Sequence, residues 1–326
     1  MRQKGKDSGQ EKRKWNRLSP IVGIVALVVA FALYTFRGDA IAAVTVWPAW
    51  TWSFVGVLAT LFSSRLRPVL FAGWALFSLL FVEETWSFPR SFTAEPTSNL
   101  RIVTLNCAGG SILAAEEVIK HKPDVILLQE SPSAKELEDF ALKVFGPAGK
   151  VVRGPDASII SRGRMSQVDL GSAVNNCVAA VWSPSITRSL NLVSLRLQPP
   201  VMRVDLYNPD AWREFAQNRA SRREEIKQLS QKLAAAGFRA DVIGGDFNTP
   251  PDRGVLAPLT KGMTDAFGAA GVGYGATCVN QFPCLVRIDQ VWTGSDLKLR
   301  RARVVKTEQS DHRMLVVDLD WGSGER

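Results

Sequence analysis

No stretch restricts the fold of this chain more than Asp241-Val242-Ile243-Gly244-Gly245-Asp246-Phe247-Asn248-Thr249-Pro250. It opens as a buried strand, with Val242 and Ile243 following an alanine-rich helix and a break at Gly237 and Phe238. Two glycines then let the backbone turn tightly, because only glycine enters positive φ without steric cost. Asp246 and Asn248 stand two positions apart at the strand end, so alternation sends both side chains to one side. Thr249-Pro250-Pro251 stops the strand. A carboxylate and a carboxamide projecting together can hold a water and a phosphoryl oxygen. An Asx-rich turn after a strand would use the same residues.

At 326 residues, one large domain with an appendage is the natural expectation. The net charge is +9. Residues 1–97 hold 11 Lys or Arg against six Asp or Glu, and residues 98–326 hold 29 against 25. The larger part is thus only mildly basic and lacks the dense cationic face of a tight nucleic-acid binder. Two histidines, His121 and His312, and four cysteines without CxxC spacing argue against zinc.

The appendage is N-terminal. Residues 1–17 form a basic tail expected in the cytoplasm. Residues 18–84 read as a transmembrane region of about three helices, from apolar runs at Ser19–Phe36, Ile41–Phe62 and Pro68–Val82. The first two approach the ~20 residues that span a bilayer. The third is shorter and begins at a proline. A signal peptide would need a small-residue cleavage site after the first run, and none is present. A buried helix pair of a soluble domain is the other reading. Trp15, Trp47, Trp50, Trp52 and Trp86 cluster near the run ends, as in an interfacial belt. With the loop at Arg65 and Arg67 cytoplasmic, three spans put residues 85–326 outside the cytoplasm; two would turn them inward. The expectation is a multi-pass membrane protein whose partner is the bilayer itself; no motif points to a protein partner. Residues 85–98, with two prolines and several hydroxyls, read as a linker.

Beyond it, Asn99–Asn106 alternates as a half-buried strand, and Ala114–His121 reads as a helix. Asp124–Glu130 is an apolar strand that closes on Glu130, which a solvated loop would equally carry. Val151-Val152, Ala157–Ser161, Ala173–Trp182 and Leu190–Leu197 read as antiparallel strands. Asn208–Gly237 is a long helix with an Ile226, Leu229, Leu233 stripe. Its Arg219, Arg222 and Arg223 read as a charged face, with a phosphate contact as the alternative. Gly268–Gly275 reads as flexible, and loops 131–156 and 268–284 are expected to decide the substrate. Cys278 and Cys284 could close a disulfide or remain thiols; the same holds for any pairing with Cys107 or Cys177. Leu285–Trp292, Ala302–Val305 and Met314–Leu319 are the last strands, with Ser310-Asp311-His312 before the final one.

Acidic and amide groups therefore recur at strand ends: Asn106, Glu130, Asp246, Asn248, Asp289 and Asp311, with His312 beside them. The strand ends of a sheet sandwich gather at one edge, where these groups can converge. Oxygen ligands with one histidine and no thiolate suit Mg²⁺ or Mn²⁺.

Five short motifs occur in order: Thr104-Leu105-Asn106, Gln129-Glu130, Gly245-Asp246-Phe247-Asn248, Arg287-Ile288-Asp289 and Ser310-Asp311-His312. In these residues the chain resembles the endonuclease/exonuclease/phosphatase superfamily over residues 99–320. The resemblance implies a four-layer α/β sandwich, two packed, mostly antiparallel sheets flanked by helices, over 99–322. It implies a metal-dependent hydrolase of phosphate esters, either a phosphodiesterase or a nuclease, acting on nucleic acid or a phospholipid headgroup. Glu130 would bind the metal, helped by Asn106 and Asp311. Asp246 would orient or deprotonate the attacking water, and Asn248 would hold a phosphate oxygen. His312 would stabilise the phosphoryl group or act as acid or base, with Asp289 fixing its tautomer. One departure matters. Where many members carry a histidine or tyrosine, this chain has Arg196, which cannot give up its proton. It can clamp phosphate, or it can be a surface strand residue. A non-catalytic phosphate-binding module on the same fold is the alternative function.

Overall fold

The computed structural model describes residues 4–61, 66–171, 176–281 and 283–322. Arg65 and residues 173–175 of an expected strand lie outside these, as do the side chains of the basic tail. The chain divides into two compact units. One is Met1–Trp86 with Asp205–Ala216, and the other is Ser87–Val204 with Gln217–Arg326.

In the first unit a helix runs over Lys4–Phe36 and is apolar over Pro20–Phe36. Among the described residues no single helix is long and apolar enough to cross a bilayer. The second apolar run is not one helix, as expected, but a bent pair, Asp39–Thr45 and Ala49–Leu61, at 69°. Pro48 sits in the break; it lacks an N–H and pushes the residue before it out of helical space. The third run is likewise the first arm of a bent pair, Arg67–Phe81 and Glu84–Arg90, at 73°. Part of the expected linker is therefore helical. Each pair reaches spanning length and hydropathy only as two arms together. Tyr34, Trp74 and Phe77 fill the core, with Phe77 edge-on to Tyr34 and to Phe31. The outer faces are apolar too: Val22, Val28, Phe54, Val69 and Leu80 are all exposed.

Among the described residues the second unit has thirteen strands: β1 Leu100–Asn106, β2 Val125–Gln129, β3 Gly149–Arg153, β4 Ala157–Arg162, β5 Arg164–Val168, β6 Cys177–Ser185, β7 Arg188–Arg196, β8 Val242–Asp246, β9 Thr264–Asp265, β10 Gly271–Val272, β11 Asp289–Thr293, β12 Leu297–Val305 and β13 Met314–Trp321. They form two mixed, mostly antiparallel sheets, ordered β10-β12-β13-β1-β2-β4-β3 and β5-β6-β7-β8-β11-β9. Alternation decides which side chains go where. Ile102, Leu127, Ile159 and Val317 of the first sheet face Leu192, Val242 and Val291 of the second, making the central core. The other face of the first sheet, with Val103, Ile126 and Val316, packs on Ala114, Val118, Leu137 and Phe140. The other face of the second, with Val193, Ile243 and Trp292, packs on Ile226, Leu229, Leu233 and Leu256. Helix, sheet, sheet and helix make four layers.

Several local expectations are corrected. The expected loop 131–156 contains the 12-residue helix Ala134–Phe145, begun by a reciprocal capping box between Ser133 and Glu136. Gly268–Gly275 is no flexible loop: Ala266–Ala270 is helical and β10 pairs with β12. A Cβ on Gly271 or Gly275 would strike Phe267, so these glycines serve close packing. Arg222 is buried and donates to the carbonyls of Gln198 and Pro199, and Arg219 pairs with Asp252; neither belongs to a solvated face. All four cysteines are free thiols.

Candidate active site

The site forms where strands of both sheets end. In the second sheet, register sets Arg196 beside Asp246 across the parallel β7–β8 pair. Asp246 stands beside Asp289 across the antiparallel β8–β11 pair. In the first sheet Asn106 is abreast of Gln129, and Glu130 follows directly. Asn106 joins the two sheets: its Nδ2 donates to Glu130 Oε1 and to Asp246 Oδ2, both at 3.1 Å. Behind it, a buried polar chain bonds the sheets a second time. Thr104 Oγ1 donates to Gln129 Oε1, and Gln129 Nε2 donates to Ser194 Oγ.

The glycine pair brings the strands this close. Gly245 lies at φ +143°, and a Cβ there would be driven into the carbonyl oxygen of Leu195. A Cβ on Gly244 would come within 2.5 Å of Leu127 Cδ1 from the opposite sheet. Ala108, Glu130 and Asn248 also have positive φ, 47°, 44° and 49°. Such conformations are uncommon without glycine, and here all three residues bond to Asn106 or Asp246 of the cluster.

His312 arrives from the loop before β13. Its Nδ1 lies 2.9 Å from Asp289 Oδ2. Ser310 Oγ accepts from the His312 N–H and donates to the Asn106 carbonyl, tying this loop to β1. Thr277 Oγ1 accepts from the backbone N–H of Asp289. Asp246, Asp289 and His312 are buried, with one ligand-type atom of each within 4.8 Å of the others. Asp289 Oδ1 is buried with no hydrogen-bond partner among the described residues. Asn248 is buried as well; its N–H donates to Asp246 Oδ1 and its Nδ2 to the Leu197 carbonyl. Asp311, in contrast, is exposed, and it reaches the cluster only through its charge on His312.

Burial and charge push the groups apart. Burial, reinforced by the Asp289 carboxylate, raises Asp246 to about 7. Burial alone would lower His312, but Asp289 outweighs it, through charge and hydrogen bond, and raises the imidazole to about 10. Burial alone would raise Glu130, but the Asn106 hydrogen bond and the Arg196 charge together bring it below the usual carboxylate range.

Arg196 is not a plain surface residue. Its Nη2 lies 2.8 Å from Glu130 Oε1 and its Nη1 lies 3.1 Å from Asp156 Oδ2. Sequence reasoning missed Asp156. Its place follows from pairing: Gln129 faces Ala157, so the residues just beyond them, Glu130 and Asp156, meet.

Residues 103–312 match the Endonuclease/Exonuclease/phosphatase family. That span covers more than half of the chain, and the chain belongs to this family of phosphoester hydrolases. Solved structures share the fold. A family protein from Bacteroides vulgatus superposes with TM-score 0.53 at 14% identity, over 69% of this chain and 100% of that one. One from Bacteroides thetaiotaomicron gives 0.52 at 17%, over 69% and 98%. A mannosyl-6-phosphatase from Bacteroides thetaiotaomicron VPI-5482 gives 0.50 at 15%, over 68% and 99%. No curated protein matches the chain by sequence.

Proposed function

We propose that the chain is a membrane-anchored, divalent-metal-dependent hydrolase of phosphate esters, of phosphodiesterase or nuclease type. The observation that carries this is the single bonded cluster of Asn106, Glu130, Asp246, Asp289 and His312. The donors fit Mg²⁺ or Mn²⁺: carboxylate and amide oxygens, no thiolate, and a carboxylate oxygen on Asp289 that has no hydrogen-bond partner among the described residues. Glu130, with Asn106, would hold the ion, the exposed Asp311 would add charge from outside the cluster, and the neighbouring carboxylates of Asp246 and Asp289 would add oxygens beside it. Bound there, the ion would neutralise charge on the phosphoryl oxygens.

The chain's own residues supply the rest. Asp246, raised to about 7, is poised to take a proton from an attacking water near neutral pH. His312, raised to about 10, stays imidazolium there, and so serves as charge and proton donor to the phosphoryl group. Asp289 fixes its Nδ1. Asn248 spends one amide proton on Leu197 and has a second for a phosphoryl oxygen.

The anchor would be the first unit. Its helices are apolar outside as well as within, the pattern of helices surrounded by lipid. With three spans, the positive N-terminal tail favours a catalytic unit outside the cytoplasm, and with two the unit would face inward; a reporter fused to the C-terminus would test this. The substrate could then be a phospholipid headgroup or a nucleic acid.

The full chain in detergent should hydrolyse bis(p-nitrophenyl) phosphate with Mg²⁺ or Mn²⁺ and stop with EDTA. No turnover across phosphodiesters, nucleic acids and phospholipids would sink the reading. One observation favours a second reading, a phosphate-binding module: Arg196 cannot donate a proton. That reading expects thermal stabilisation by phosphoesters without product.

A further inference from the structure

The chemistry proposed above gives no task to Arg196 and Asp156, which form a half-buried ion triad with Glu130. Arg196 bridges Glu130 and Asp156 through separate Nη groups. Glu130 is otherwise held by neutral donors: Oε1 accepts from Asn106 Nδ2, and Oε2 from the Gly109 N–H at 2.5 Å. Both oxygens are engaged, so a cation approaching Glu130 must displace or crowd one partner. Only one of those partners carries a positive charge. Arginine cannot relieve the conflict by losing a proton, so it must move.

We propose that Arg196 and the divalent cation compete for Glu130, and that Arg196, once displaced, stays tethered to Asp156 and turns its freed Nη to the phosphoryl group. This rests on the metal-dependent reading above. Asp156 makes the displacement inexpensive, because the guanidinium keeps one of its two carboxylates. The neighbouring strand keeps the swing inside the pocket: Arg196 is in register with Asp246, whose carboxylate already attracts it. The guanidinium fork suits a phosphoryl oxygen once it is free. Metal and phosphate would therefore bind cooperatively, each favouring the arrangement in which Arg196 has left Glu130. A histidine or tyrosine at this position would carry no fixed positive charge to compete.

The test is Mn²⁺ binding by the EDTA-stripped full chain in detergent, read from the electron paramagnetic resonance of free Mn²⁺. Arg196→Gln should tighten Mn²⁺ binding, on the order of tenfold for a unit charge removed from beside a dication. Arg196→Lys, which keeps the charge, should stay near wild type. Glu130→Gln should weaken binding, and adding it to Arg196→Gln should abolish the gain. In a second arm, Mn²⁺ should raise the affinity for inorganic phosphate in wild type and not in Arg196→Gln. A gain in affinity that Glu130→Gln abolishes comes from this site and not from carboxylates freed by misfolding, so the sign is informative even if the variant is less stable. If Glu130→Gln weakens Mn²⁺ binding but Arg196→Gln leaves it unchanged or weaker, the competition is overturned and the metal site stands. If Glu130→Gln has no effect, both fall together.

Discussion

The pocket contains two charge clusters that solve the same problem differently. At its floor Asp246, Asp289 and His312 are buried, with one carboxylate oxygen unpaired among the described residues. At its rim Glu130, Arg196 and Asp156 are half-exposed and paired at close range. Desolvation decides the difference. At the floor, two carboxylates share one imidazole out of water, and proton affinities are driven upward. At the rim an arginine of fixed charge answers the carboxylates, and Glu130 is driven downward. In the proposed reading the floor moves protons and the rim exchanges cations.

The largest expected effect lies at the floor. His312→Ala should lower kcat on bis(p-nitrophenyl) phosphate by roughly 10²–10⁴, as loss of a positioned acid or base does. Gly245→Ala comes next. It strains a φ of +143° and drives a methyl into Leu195, so chemical denaturation should show a loss of about 2–4 kcal/mol.

Opposite pH signatures sharpen the contrast further. Asp246 and His312 are both raised, so their stabilising contribution is present below their unfolded values and is lost as pH rises through about 7 for Asp246 and about 10 for His312. Glu130 is lowered, so its contribution is present above its unfolded value and lost as pH falls through the folded one. With only two histidines in the chain, proton NMR of the EDTA-treated protein can follow His312 directly. It should remain imidazolium past pH 9, within reach of its value of about 10, and Asp289→Asn should bring its titration down to about 7 or below. An unshifted midpoint in Asp289→Asn would erase the distinction between floor and rim. The smallest effect belongs to the rim. Asp156→Asn should cost under about 1 kcal/mol in thermal unfolding, because partly exposed ion pairs are screened.

Much of this was readable from local pattern. The strands that carry the site, β1, β2, β8 and β13, are buried nearly throughout and rich in aliphatics, and their ends mark Asn106, Glu130, Asp246 and His312. Strand β5, Arg-Met-Ser-Gln-Val, was not readable, because as an edge strand it is mostly polar and exposed. The helix Ala134–Phe145 did carry a signal that the loop reading passed over, Ser133-x-x-Glu136 ahead of Leu137, Phe140 and Ala141. Arg222 is buried among charged neighbours that look identical in sequence, so only the carbonyls of Gln198 and Pro199 reveal it. Asp156 depends on which strand pairs with β2, a long-range fact with no local trace.

The most direct test of a single pocket is a double-mutant cycle on Mn²⁺-dependent turnover of bis(p-nitrophenyl) phosphate. Glu130→Gln and His312→Ala should each lose most of the activity, and the double variant should lose far less than the product of the two, as groups acting as a unit do. Two variants that both keep wild-type turnover, or whose losses simply multiply, would contradict a shared site.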